Sequence, residues 1–110
     1  MAAKVVVILS TGEKEKAITG MMFAVNSQKN KWLDEVKVIF FGPFEDLICR
    51  DPEVADFASQ LLAYETPVAC KRLSDTAGTS DRLKELGYQV AYVGTIISDL
   101  IKNGYVPMVF

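Results

Sequence analysis

Cys70 is the residue with the clearest chemical potential in this 110-residue chain. It ends the run Thr66-Pro67-Val68-Ala69-Cys70 and is followed at once by Lys71 and Arg72. Two cations beside a thiol favour the thiolate, the form that attacks sulfur. The same position also suits a small buried hydrophobe closing a core strand, because free cysteine is among the most buried residue types. Cys49, in Leu47-Ile48-Cys49-Arg50, reads as packing of a short apolar turn and not as a nucleophile. With two cysteines, no CxxC and no histidine, neither a disulfide framework nor a zinc site is expected from the chain's own residues.

The other polar groups are weaker signals. Ser10-Thr11-Gly12-Glu13 has the outline of a phosphate-gripping turn at a helix start. It has one glycine, lacks GxGxxG and GxxxxGK[ST], and carries Glu13, which would repel an anion, so a plain turn and cap is the better reading. Phe44-Glu45-Asp46, Asp75, Asp81 and Glu85 read as solvated carboxylates, since the chain offers no histidine to work with them as a base. Trp32 reads as a lid over the core edge. No cofactor pattern and no metal-ligand spacing is present.

Strand and helix signals alternate from end to end, the pattern of βαβ units whose crossovers place helices on a parallel sheet. The strands are expected at Lys4 to Leu9, Val36 to Phe41, Pro67 to Lys71, Gln89 to Val93 and Val106 to Phe110. Unbroken apolar runs in the first two demand burial on both sheet faces and put the first strand near the sheet centre. Pro107 removes a ladder donor and puts the last strand at an edge. Helices are expected at about Glu13 to Lys29, Pro52 to Tyr64, Thr79 or Ser80 to Leu86, and Thr95 to Asn103. Asp51 caps the second with Pro52 at its first position, and Gly87 and Gly104 stop the last two. The fold class is therefore α/β: a three-layer α/β/α sandwich on a mainly parallel five-stranded sheet, in one domain spanning residues 1–110.

In such sheets ligands bind outside the carboxyl ends of the strands. Four segments are expected there: Ser10-Thr11-Gly12, Phe41-Gly42-Pro43, Cys70-Lys71-Arg72 and Gly94-Thr95. Of these, only one holds a thiol. The first helix is apolar around nearly its whole circumference through Ala17, Ile18, Met21, Met22, Phe23, Ala24 and Val25, which calls for a second partner such as another copy of the chain.

Twelve basic and fourteen acidic residues give a net charge of -2, spread without a basic stripe, which argues against nucleic acid and membrane surfaces as partners. Met1-Ala2-Ala3-Lys4 runs directly into Val5 to Leu9 with no basic lead-in or small-residue cleavage site. A cytoplasmic location is the expectation.

Taken together, the opening Lys4-Val5-Val6-Val7-Ile8-Leu9-Ser10-Thr11-Gly12, the Thr66-Pro67-Val68-Ala69-Cys70 strand, Val93-Gly94-Thr95 opening a helix, and the short terminal strand resemble the DsrE/DsrF-like family over nearly the full length. That family includes the sulfur-relay subunits of the Tus type and the YchN-like proteins. The resemblance implies a flavodoxin-like, DsrEFH-like sandwich in which Cys70 accepts sulfane sulfur as a persulfide and passes it to a partner. It further implies protein donors and acceptors and a homo-oligomer, trimeric or hexameric, built through the apolar first helix. Lys71 and Arg72 would then favour the thiolate, with Ser10, Thr11, Gly12, Gly94 and Thr95 lining the substrate pocket. Two other functions stay open: a flavodoxin-like module holding a small anionic ligand at the strand ends, and a non-catalytic oligomer subunit with an unreactive Cys70.

Overall fold

A computed structural model describes residues 2–110. Five strands, β1 (Lys4–Leu9), β2 (Glu35–Phe40), β3 (Val68–Cys70), β4 (Gln89–Ala91) and β5 (Val106–Val109), form one sheet in the order β4-β3-β2-β1-β5. Every pairing is parallel, and β1 and β2 share six residue pairs from Lys4–Glu35 to Leu9–Phe40. The helices are α1 (Lys14–Lys29), α2 (Pro43–Arg50), α3 (Pro52–Ala58), α4 (Lys71–Ala77), α5 (Ser80–Glu85) and α6 (Val93–Lys102), with a 3-10 segment at Ser59–Ala63.

The strand order explains the layers. β1 to β4 step one place at a time in the same direction, so right-handed crossovers lay their helices on one face. The last connection runs back from β4 to the opposite edge, which places α6 on the other face. The core divides accordingly. The larger cluster joins Val5, Val7 and Leu9 of β1 to Ala17, Met21 and Ala24 of α1, Phe44, Leu47 and Ile48 of α2, Val54 of α3 and Leu83 of α5. The smaller one joins Val6, Ile8, Ile39 and Cys70 to Val93, with Ile96, Ile97 and Leu100 of α6 only half-buried. Contact is closest at Gly20, where a Cβ would lie 2.7 Å from both Leu9 Cδ2 and Phe110 Cγ, so α1 sits nearer the sheet than a side chain there would allow.

Several boundaries match expectation. Asp51 caps α3 by accepting from the N–H groups of Glu53 (3.0 Å) and Val54 (3.2 Å). Gly87 and Gly104 take the left-handed backbone after α5 and α6. β5 is an edge strand, and Phe110 N–H pointing to Ile8 C=O (2.9 Å) sets the alternation that leaves Pro107 facing outwards, where a missing N–H costs no ladder bond.

Other segments differ. The connections at 43–50 and 71–77 are helices, not loops, each burying one face against the core, through Phe44, Leu47 and Ile48 in the first and Ser74 in the second. The Pro52 helix loosens into its 3-10 segment at Ser59, and α6 begins at Val93, two residues before the expected Thr95. β1 does lie near the sheet centre as expected, beside the middle strand β2. Trp32 is 60% exposed and lids nothing: Lys31 just before it takes a positive φ of 53°, and Trp32 rims a surface groove. No described helix is long and apolar enough to cross a membrane.

Candidate functional site

Cys70 is the last residue of β3, paired with Ala91 of β4, and its backbone is the extended cap from which α4 starts. The side chain enters the smaller core cluster with Ile39 and Val93 and is 6% exposed. The thiol is thus free and nearly covered, at the carboxyl end of a strand.

Its expected cations sit on α4. Lys71 Nζ meets Asp75 Oδ2 at 2.5 Å, one helical turn on, and lies 5.6 Å from the centre of the Tyr92 ring. The bond to Asp75 holds the ammonium above its ordinary range and answers much of its charge locally. Asp75 is fixed in turn by Ser80 Oγ at 2.5 Å, and its carboxyl is held below the ordinary range by Lys71 first and Ser80 second. Arg72 is exposed and enters no ion pair among the described residues. Gly94 and Thr95 are exposed in the first turn of α6, where Gly94 C=O accepts from Ser98 Oγ at 2.7 Å.

The Ser10 to Gly12 loop is a turn, and α1 starts after it without a side-chain cap. Ser10 and Thr11 N–H both donate to Phe110 C=O, at 2.7 and 3.1 Å, and Glu13 N–H donates to Thr11 Oγ1 at 3.0 Å. In open α/β sheets the crevice opens between neighbouring strands whose following helices lie on opposite faces, here β3 and β4, whereas the N–H groups of the Ser10 loop are taken up by Phe110. The loop also meets its neighbour, since Phe44 N–H donates to Ser10 C=O at 3.1 Å. A Cβ on Gly42, whose φ is +111°, would lie 2.9 Å from Ser10 Oγ, which leaves glycine as the residue that fits this turn.

Asp46 is exposed as expected, but Phe44 and Glu45 are not solvated surface. Phe44 is fully buried with its ring centre 4.8 Å from that of Phe40, and Glu45 is 2% exposed. Glu45 Oε1 accepts from Gly42 N–H at 3.3 Å, whereas Oε2 is buried with no hydrogen-bond partner. Burial drives this carboxyl up to about 7, with the Gly42 bond opposing. The signal was present: Gly42-Pro43 followed by a glutamate is a proline at the first helical position with an acid two residues on, able to reach back to the N-cap backbone. Cys49, one turn further along α2, is half-buried; burial raises its thiol, Arg82 opposes, and Asp46 and Glu45 add to the rise. That places it further from nucleophilic use, in keeping with its reading from sequence. No group of three or more potential metal ligands forms among the described residues.

No protein-family model and no curated protein matches the chain. Among solved structures, it is similar to a conserved protein of unknown function from Bacteroides thetaiotaomicron, with a TM-score of 0.85 and 24% identity over 97% of this chain and 95% of that one. At this identity the likeness establishes one thing, a shared α/β/α fold across the whole chain.

Proposed function

We propose that this protein is a sulfur carrier that holds a persulfide on Cys70. The observation that carries the reading is the position of this free thiol at the carboxyl end of β3, where the chain turns directly into α4. The Cys70 thiolate attacks the outer sulfur of a sulfane donor; the new S–S bond forms at Sγ as the donor's S–S bond breaks and its thiolate, or sulfite where the donor is thiosulfate, leaves. An acceptor thiolate then attacks that outer sulfur, becoming the persulfide and returning Cys70 as thiolate. No net oxidant or reductant is needed. Cys70 is nearly covered, so transfer requires a small opening of the β3–α4 corner, and the exposed Arg72 beside it supplies unpaired positive charge for the incoming anionic sulfur.

We read the apolar face of α1 as the contact with further copies of the chain, in a trimer or hexamer. Met22 is 48% exposed and joins Phe23, Trp32, Met108 and Phe110 around a groove of about 400 Å³ that has no charged residue in its lining. This surface also favours the second reading, a non-catalytic subunit. Cyanide separates the two: after incubation with thiosulfate or a persulfide donor and desalting, the carrier releases thiocyanate stoichiometrically in wild type and Cys49→Ser and not in Cys70→Ser. A subunit without carrier chemistry releases none from any of the three, and Trp32→Ser then lowers its mass in sedimentation while the chain stays folded.

A further inference from the structure

We propose that the crevice between α2 and α4 binds a small primary ammonium group on a short apolar chain, with its N–H donating to Glu45 Oε2. The crevice has a volume of about 310 Å³ and is lined by Gly42, Pro43, Glu45, Asp46, Leu73 and Ala77. It is a separate place from Cys70 and does not depend on the carrier reading.

Three observations define what fits. The Gly42 N–H bond to Oε1 turns the Glu45 side chain back towards the crevice wall formed by Gly42 and Pro43, and leaves Oε2 as a buried acceptor lacking a donor. Such an atom carries the full desolvation cost of an unmade hydrogen bond, and because it is closed to solvent a donor reaches it only when the Gly42-Pro43 wall shifts. The helix start offers nothing to an anion: Gly42 N–H goes to Glu45, Phe44 N–H to Ser10 C=O and Glu45 N–H to Gly42 C=O, while Pro43 has no N–H. Finally, Glu45 is the carboxyl in the lining without a cation, since Asp46 Oδ2 already accepts from Arg50 Nε at 3.0 Å, and Pro43, Leu73 and Ala77 make the rest apolar. A donor-bearing cation with a hydrocarbon tail satisfies all three, whether it is a free amine or the side chain of a lysine in a partner protein.

The test is amide chemical-shift mapping on the full chain in mildly alkaline buffer with n-butylammonium, Nα-acetyl-lysine methylamide, n-butanol and butyrate. The expected result is saturable shifts centred on Gly42, Glu45, Leu73 and Ala77 with the ammonium probes, weakened about tenfold or more in Glu45→Gln, which removes the charge-assisted bond at constant shape. Whichever ammonium probe binds tighter tells the free amine from the lysine source. Ala77→Phe fills the crevice from the α4 side without touching Glu45 and abolishes the shifts. Absence of saturable shifts, binding of butanol or butyrate as tight as that of butylammonium, or an affinity unchanged in Glu45→Gln overturns the proposal.

Discussion

Replacing Glu45 with glutamine should change the pH dependence of stability more than its value at any one pH. The carboxyl stands at about 7 in the folded chain against an ordinary 4.5, because burial penalises the anion and the Gly42 N–H only partly offsets this. Between those two values the folded state binds more protons than the unfolded one, so this group makes stability fall as pH rises. Below 4.5 both states are protonated and the effect vanishes; above about 7 it is complete. At 1.36 kcal/mol for each tenfold change in proton affinity, the full deficit is about 3 kcal/mol. Glutamine does not titrate and its amide oxygen can keep the Gly42 contact, though its buried NH₂ adds a constant cost that varies little with pH. The difference between Glu45→Gln and wild type should therefore move in the variant's favour by about 3 kcal/mol from about pH 4 to about pH 8, or roughly 10 to 15 °C in Tm for a domain of this size. Urea unfolding across that range measures it. Two stability curves that run parallel through pH 7 would refute the argument, because a solvated Glu45 is the one state that leaves no such signature.

Two packing predictions follow from the same structure. Phe44→Ala should cost about 3–5 kcal/mol in urea unfolding, since it empties a fully buried ring site against Phe40 and the larger core; a loss under about 1 kcal/mol would return this segment to the surface. Gly20→Ala forces a Cβ to within 2.7 Å of Leu9 and Phe110, so overpacking of about 1–3 kcal/mol should outweigh the roughly 1 kcal/mol that alanine contributes to a helix, and a more stable variant would contradict the close approach of α1 to the sheet.

The alternating pattern made the architecture legible because each long element carries its own signal. The apolar runs of β1 and β2, the Asp51-Pro52 cap and the Gly87 and Gly104 stops are local chemistry that the tertiary structure keeps. Pro107 told the position of β5 because the missing donor is tolerated only where no strand follows. The short helices α2 and α4 were hidden, being eight and seven residues long and rich in charge, so their composition resembles that of loops. Tertiary burial of one face, through Phe44, Leu47 and Ile48 in α2 and Ser74 in α4, is what makes them helices. The site was legible in part for the same reason. Cys70 falls at a strand end as its sequence neighbours require, whereas the engagement of Lys71 by Asp75 follows only once residues 71 and 75 share a helix face. Glu45 read as surface because its type says so; its burial comes from α2 folding back over the Ser10 loop, a contact between segments far apart in the chain.

Intact mass spectrometry under non-reducing conditions after exposure to a sulfane donor tests the carrier reading most directly. The expected result is a gain of one sulfur atom in wild type and in Cys49→Ser, removed by reductant and absent from Cys70→Ser. No gain on any of the three, or a gain that survives in Cys70→Ser and disappears in Cys49→Ser, would contradict a persulfide on Cys70.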